Sequence, residues 1–324
     1  MLPILTVTLN PALDITSHVA ELKPRQKLRC TEPVIHAGGG GVNVSRAIHE
    51  LGGQSRAFIA LGGHTGAQFQ SRLKVSRIMA EIWPLIGETR TSFTMMEDKS
   101  GLPYRFVMPG PTISIAEAEA ILHQLERVIG HYPGYVVASG SLPPGTPLDF
   151  YARLGVLTRK AGGRLILDTH GDALKAATAE RPYLIRLNHL EAQELAGGDA
   201  DRAAHQLARE LVEGRYAEIA IVTLGDRGAI LSTTEGQVEI RPPHVEMKSG
   251  VGAGDSFVGA LVFALANGRS IEDAARYGVA AAASAVTTDA TELCRRADVD
   301  AFYLKTRVVG PELDAHQGST MALH

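Results

Sequence analysis

From residue 115 onward the chain alternates between short apolar runs and longer stretches whose apolar positions recur at helical spacing. That pattern predicts helices over 116–129, 147–161 and 201–213, and strands over 135–138, 165–167, 183–187 and 218–223. Strands separated by helices imply parallel βαβ units. Two further helical stretches follow, one opening at Phe257 and one over 271–286. The first third is less regular. Residues 3–9 predict a strand, 58–61 a short one, and 42–52 a helix with Val44, Ala47, Ile48 and Leu51 on one face and Gly52 as its stop. Residues 15–35 are polar with scattered apolar positions and no helical period, which predicts extended strands outside the main layer. Residues 91–97 and 104–108 alternate around the turn Asp98-Lys99-Ser100-Gly101, the pattern of a hairpin. Together these make a small β-sheet whose apolar face must be covered by the rest of the chain or by a partner. Residues 311–324 hold no periodic pattern and read as a loose, flexible tail. The organisation is one α/β domain over 1–310, with a β-sheet insertion from about 15–35 and 90–108.

Candidate chemistry gathers where strands end. In an open parallel sheet those ends share one edge, so residues distant in sequence can meet there. Asp14, Ser139, Asp168, Asn188, Glu191 and Thr223 all follow strand-like runs. Each alone is an ordinary cap or turn residue; as a set they point to a site. Two glycine stretches add to it. Gly38-Gly39-Gly40-Gly41 suggests backbone brought against a flat, hydroxyl-rich ligand, with Asn43 pointing into the same space. It matches neither the GxGxxG dinucleotide fingerprint nor the GxxxxGK[ST] phosphate loop. Ser249-Gly250-Val251-Gly252-Ala253-Gly254-Asp255-Ser256 opens onto a helix N-terminus, whose unpaired N–H groups suit an anion. Asp255 there could take a proton from a hydroxyl that attacks a bound phosphate. A Gly-rich turn with a capping Asp explains the stretch as readily. The run Ala280-Ala281-Ala282-Ala283 lets something flat, such as an adenine ring, approach the backbone, and close helix packing accounts for it equally.

Composition narrows the class. With 324 residues, 45% apolar content and a net charge of −3, the chain has the balance of a cytoplasmic enzyme and no general attraction for nucleic acid or an anionic membrane. Cys30 and Cys294 form no metal or redox pattern, which fits a reducing compartment. No apolar run reaches the ~18 residues of a membrane span.

In this chain order the motifs resemble the ribokinase-like carbohydrate kinases, and within them the phosphofructokinase B branch. The resemblance runs from Thr8-Leu9-Asn10-Pro11-Ala12-Leu13-Asp14 through the 38–52 loop and helix to Tyr104-Arg105-Phe106-Val107-Met108-Pro109-Gly110. It continues through Ser139-Gly140-Ser141-Leu142-Pro143-Pro144-Gly145 and Asn188-x-x-Glu191 to Gly252-Ala253-Gly254-Asp255 and the Leu293-Cys294 region. The resemblance implies a three-layer α/β/α core with a mainly parallel sheet, and a small β-sheet lid over a sugar site. The lid often joins two subunits, which implies a homodimer. The implied activity is MgATP-dependent phosphotransfer to a hydroxyl of a ketohexose phosphate, first of all fructose 6-phosphate. Tagatose 6-phosphate and fructose 1-phosphate are alternative acceptors, and a sensor that binds without turnover is the rival from another class.

The same resemblance assigns roles. Asp255 would be the base, and the amides around Gly252, Ala253 and Gly254 would hold charge developing on the transferring phosphoryl group. Asp14, Gly39 and Asn43 would hold sugar hydroxyls, and Lys27, Arg90 and Arg105, with Ser139 nearby, the acceptor's own phosphate. Asn188 and Glu191 resemble the pair that organises Mg²⁺ through water. Thr223, Gly225 and Gly228 would line the nucleotide phosphates and ribose, and Val279 and Ala283 the adenine of ATP. Ser249, Val251, Ala285, Thr288 and Ala290 correspond to a monovalent-cation (K⁺) site, with Ala290 standing where glycine is common. Arg186-Leu187-Asn188 replaces a frequent Lys-Pro-Asn, so a cation for ATP phosphate is kept but its reach differs.

Overall fold

The computed structural model describes residues 1–130, 134–198, 202–288 and 292–310, so the 311–324 stretch and Ala290 lie outside the described residues. In chain order, β1 (Ile4–Thr8) is followed by β2 (Ala12–Val19), β3 (Val34–Gly38), α1 (Gly40–Glu50), β4 (Arg56–Gly62), α2 (Gly63–Val75), β5 (Met79–Leu85), β6 (Arg90–Glu97) and β7 (Pro103–Val107). Then come α3 (Ile115–Gly130), β8 (Tyr135–Ser139), α4 (Phe150–Lys160), β9 (Arg164–Asp168), α5 (Gly171–Ala177), β10 (Leu184–Asn188), α6 (His189–Leu195), α7 (Ala204–Glu213) and β11 (Ile219–Thr223). The described chain closes with β12 (Ala229–Thr233), β13 (Gly236–Arg241), α8 (Ala253–Ala266), α9 (Ile271–Ala285), α10 (Arg296–Tyr303) and β14 (Arg307–Val309).

A ten-stranded sheet has the order β14-β13-β12-β11-β10-β9-β8-β1-β4-β5. The strands from β11 to β5 run parallel, and β12, β13 and β14 extend one edge antiparallel. Its middle strands are apolar at nearly every position because helices cover both faces. Along β8, Val136 and Ala138 join the core beneath α3–α7, while Tyr135 and Val137 join the core beneath α1, α8, α9 and α10. This is a three-layer α/β/α fold with a mainly parallel sheet. The predicted interruption is a separate four-stranded sheet of order β3-β2-β6-β7.

Several expectations change. Asp14 does not sit at the end of β1: the chain turns at Asn10-Pro11 and re-enters extended structure at once, placing Asp14 inside β2 opposite His36 and Ser92. Residues 20–33 carry no strand, so only the two ends of the 15–35 stretch belong to the lid. Helix α2 gave no clear stripe, since Phe69 and Leu73 are its only large side chains named in a buried cluster. α4 starts at Phe150 and α7 at Ala204, each three residues later than expected.

Helices α1 and α8 cross closely at Gly259, where an added Cβ would lie 2.7 Å from Ala47 Cβ and 3.0 Å from the Val44 carbonyl. Replacing Gly259 with Val should therefore cost about 1–3 kcal/mol through overpacking. The expected reading is a lower denaturant midpoint at unchanged slope, together with slower turnover, because this crossing sets the distance between groups on the two helices.

Candidate active site

Asp255 lies in the first turn of α8. The N-cap, Gly252, takes φ 76, a left-handed conformation that suits glycine, and no side chain caps this end. The first-turn N–H groups are therefore open to an anion. Asn43 of α1 donates from Nδ2 to Asp255 Oδ2 at 2.9 Å, and Arg46, one turn later, donates to Asn43 Oδ1 at 3.1 Å. Arg46 thus fixes which way the Asn43 amide points. Sequence reasoning passed over Arg46, and its spacing of three from Asn43 on a helix was the available signal. Burial pushes the Asp255 carboxyl up to about 7; the Asp168 and Asp14 charges add to this, while the Asn43 bond and Arg186 oppose it. A buried carboxyl that titrates near neutral pH is well matched to general-base work.

Asp14 lies close enough for its charge to act on Asp255. Burial raises it to about 6, against the pull of Arg105, Arg90 and Arg46. The four glycines at 38–41 have a reason the sequence did not suggest. A Cβ on Gly38 would run into the Asp14 carboxylate, on Gly39 into Pro11, on Gly40 into Ser139 Oγ, and on Gly41 into β1 at Val7. The start of α1 is wedged among β1, β2 and β8, so these residues are glycine chiefly to admit protein atoms.

A chain of polar side chains crosses four neighbouring strands beneath the α8 loop. Ser139 Oγ donates to Asp168 Oδ2 at 3.0 Å, Arg186 Nη1 donates to Asp168 Oδ1 at 3.1 Å, and Arg186 Nη2 donates to Thr223 Oγ1 at 2.9 Å. A Cβ on Gly254 would come within 2.9 Å of Arg186 Nη1, so the guanidinium lies directly against the first turn of α8. Arg186 Nε is buried without a partner among the described residues, a donor that a phosphate oxygen would satisfy.

The lid cations are placed differently from one another. Arg90 donates from Nε and Nη2 to the Asn10 carbonyl at 3.2 and 3.0 Å, and from Nη1 to the Met108 carbonyl at 3.1 Å. It ties the lid to the end of β1 while facing Asp14. Arg105 is exposed on β7, opposite Thr94 of β6. Lys27 is exposed on the 20–33 segment, beyond the far end of β2, and makes no hydrogen bond or ion pair among the described residues.

Asn188 and Glu191 form a reciprocal cap on α6: Glu191 N donates to Asn188 Oδ1 at 2.9 Å and Asn188 N to Glu191 Oε2 at 2.8 Å. The described residues contain no group of three or more acidic, His or Cys side chains able to hold a metal. The donor set fits a hydrated Mg²⁺ reached through water, with nucleotide phosphates supplying the charge. Of the two glycines expected at the nucleotide, Gly228 is required by the fold, since a Cβ would strike the Ile240 carbonyl, whereas Gly225, at φ 65, faces open space. Val279 and Ala283 lie on α9 with 3% and 6% of their surface exposed. Ser249 N donates to the Val286 carbonyl at 3.2 Å, which brings the 249–251 loop beside the end of α9, and the Ala285 carbonyl accepts from both the amide and the hydroxyl of Thr288. No helix among the described residues is long and apolar enough to cross a membrane.

The model of the family described as pfkB family carbohydrate kinase matches residues 7–297. The chain belongs to this family. Among relatives of this pfkB kinase, the ATP-dependent 6-phosphofructokinase isozyme 2 of Mycobacterium tuberculosis is 39% identical over 302 residues, covering 93% of this chain and 88% of the relative. The 1-phosphofructokinase of Xanthomonas campestris is 32% identical over 283 residues, covering 85% and 88%. The crystal structure of phosphofructokinase-2 from Escherichia coli in complex with potassium is 36% identical, with a TM-score of 0.88 over 94% of this chain and 99% of that one. The same enzyme is similar in complex with fructose-6-phosphate, at a TM-score of 0.86, and in its tetrameric inhibited form, at 0.87.

The protonation of Asp255 gives a signed expectation. The acidic limb of kcat/KM should fall as this carboxyl protonates near pH 7. Asn43→Ala removes the bond that favours the carboxylate, so the limb should move to higher pH. Stability runs the other way: the folded value lies above the ordinary 3.8. The contribution to stability is full below pH ~4 and is lost as pH rises through about 7. Asp255→Asn should accordingly raise the melting temperature at pH 8 more than at pH 5, measured without ligands.

Proposed function

We propose that this kinase transfers a phosphoryl group from MgATP to the 1-hydroxyl of fructose 6-phosphate. The observation that carries the reading is the pocket formed by Asp255, Asn43 and Asp14 beneath a lid whose Arg90 and Arg105 act on Asp14. Asp14 and Asn43 offer acceptors and donors to sugar hydroxyls, Asp255 stands ready to take the proton of the attacking hydroxyl, and the lid supplies cations for a phosphate already on the sugar. The names of the nearer relatives favour a 6-phosphate over a 1-phosphate acceptor. ATP would supply the phosphoryl group and Mg²⁺ would neutralise its charge, with Asn188 and Glu191 on the water around the ion and Arg186 beside the phosphates. A monovalent cation, K⁺ by analogy with the E. coli structure, would rest on the 249–251 loop and the end of α9.

The test is ADP release with fructose 6-phosphate, tagatose 6-phosphate, fructose 1-phosphate, fructose and ribose as acceptors. Fructose 6-phosphate should give the highest kcat/KM, and Asp255→Asn should lower kcat by about 10²–10⁴-fold with the fold intact. A higher kcat/KM for a free sugar would sink the reading.

The lid also calls for a partner. Tyr104, Phe106 and Val107 on the edge strand β7 are 40%, 49% and 61% exposed, and Phe93 beside them on β6 is 39% exposed. An apolar edge of this kind is covered in a stable protein, and we assign a second copy of the lid to it. Light scattering should give the mass of a dimer or a larger even assembly, and Phe106→Asp should shift it toward the monomer. A wild-type monomer at micromolar concentration would overturn the assignment.

A further inference from the structure

We propose that Asp168 is a positioning residue that binds the acceptor side and the nucleotide side of the pocket into one rigid unit. This rests on the kinase reading above. Four adjacent parallel strands, β8, β9, β10 and β11, each carry one member of the chain: Ser139, Asp168 and Thr223 are the last residues of β8, β9 and β11, and Arg186 stands two residues before the end of β10. Asp168 is its centre: one carboxylate oxygen accepts from Ser139 at 3.0 Å, and the other accepts from Arg186 at 3.1 Å. The two side chains of the ion pair are only 17% and 13% exposed, so it is shielded from water and holds its geometry.

The two ends of the chain touch different halves of the pocket. Ser139 packs against Gly40 at the start of α1, the helix that carries Asn43. Arg186 packs against Gly254 in the first turn of α8, and its other arm holds Thr223 at 2.9 Å. A planar guanidinium can grip Asp168 and Thr223 together; a lysine in its place has one terminal nitrogen and no fixed fork. The arginine where lysine is frequent therefore gives this chain a brace across β9, β10 and β11. The Asp168 side chain hydrogen-bonds to neither half directly; its contacts with both pass through Ser139 and Arg186, and only its charge acts on Asp255 without an intermediary.

The brace also bears on the base. The charged groups acting on Asp255 are Asp168 from β9, Arg186 from β10, Asp14 from β2 and Arg46 from α1, with the Asn43 amide in direct contact. Removing the Asp168 charge takes away a repulsion and leaves Arg186 unneutralised, and both changes favour the Asp255 carboxylate.

The experiment compares Ser139→Ala, Thr223→Val, Asp168→Asn and Arg186→Lys with wild type, by steady-state kinetics in both substrates and by calorimetric titration with ADP. Ser139→Ala should raise the acceptor KM alone, and Thr223→Val should weaken nucleotide alone. Asp168→Asn should raise the acceptor KM and weaken ADP together, each by about tenfold, the loss expected for a charge-assisted bond. It should also move the acidic limb of kcat/KM to lower pH, which a purely structural defect would not do. Arg186→Lys should reproduce the double effect more weakly, and it serves as the second variant if Asp168→Asn folds poorly. Effects of Asp168→Asn confined to one substrate, or an unmoved acidic limb, would overturn the proposal. If wild type turns over no phosphoketose, the kinase reading falls, and ADP affinity alone then decides: an Asp168→Asn protein that binds ADP as wild type does refutes the brace.

Discussion

A carboxylate buried at the start of one helix and held by an amide on another is the contact around which this pocket is built. Asp255 and Asn43 come from α8 and α1, which are 212 residues apart in sequence and meet because Gly259 lets their backbones approach. The small residues at that crossing are thus part of the chemistry, although none of them faces the pocket. The same economy holds at the glycine run before α1. Its residues admit Asp14, Pro11, Ser139 and β1, and so fix the position from which α1 starts.

Burying Asp255 is costly to the fold and would serve the proposed reaction. Desolvation alone disfavours its charge, and two more carboxylates, Asp168 and Asp14, stand close enough to add to the cost. The partial offsets are Asn43 and Arg186, which help the carboxylate without pairing it completely. An arginine bonded directly to Asp255 would have lowered its affinity for a proton and left a poorer base. Here the cations are placed one step away: Arg46 on the amide of Asn43, and Arg186 on Asp168.

The layered fold was legible because a parallel sheet buried on both faces writes itself as apolar runs between helical stripes. The lid hairpin was legible from alternation around Asp98–Gly101. Other elements left weaker marks. α2 buries few large side chains, and β12, β13 and β14 are short edge additions whose pairing is antiparallel and depends on the turn at Gly228. Within the pocket, motifs found Asp255, Asn43, Asp14 and Ser139, which do gather. They could not tell that Asn188 and Glu191 cap each other, because a reciprocal helix cap and a water-mediated metal site use the same residues at the same spacing. Nor could they separate Arg90, which is bonded to two carbonyls at the lid base, from Lys27, which stands on the open segment at the other end of β2. That difference lies in the direction the strands run.

The lid and the core are joined by a very short connection, and this shapes what the lid can do. Only three residues separate β1 from β2, and Arg90 clamps that link by its two bonds to the Asn10 carbonyl. The base of the lid, with Asp14, is therefore tied directly to the end of β1. Its outer strand β7 is exposed at every position, and its pairing with β6 is its only ladder in this chain among the described residues. Ties to the core therefore thin out from β2 toward β7 and toward the 20–33 segment. In the proposed reaction a sugar hydroxyl at Asp14 would meet the part of the lid anchored to the core, and a phosphate at Arg105 would meet the exposed outer strand. On that reading the anchored base of the lid, together with Asn43 and Asp255, would orient the attacking hydroxyl, and the outer strand would recognise what else the sugar carries.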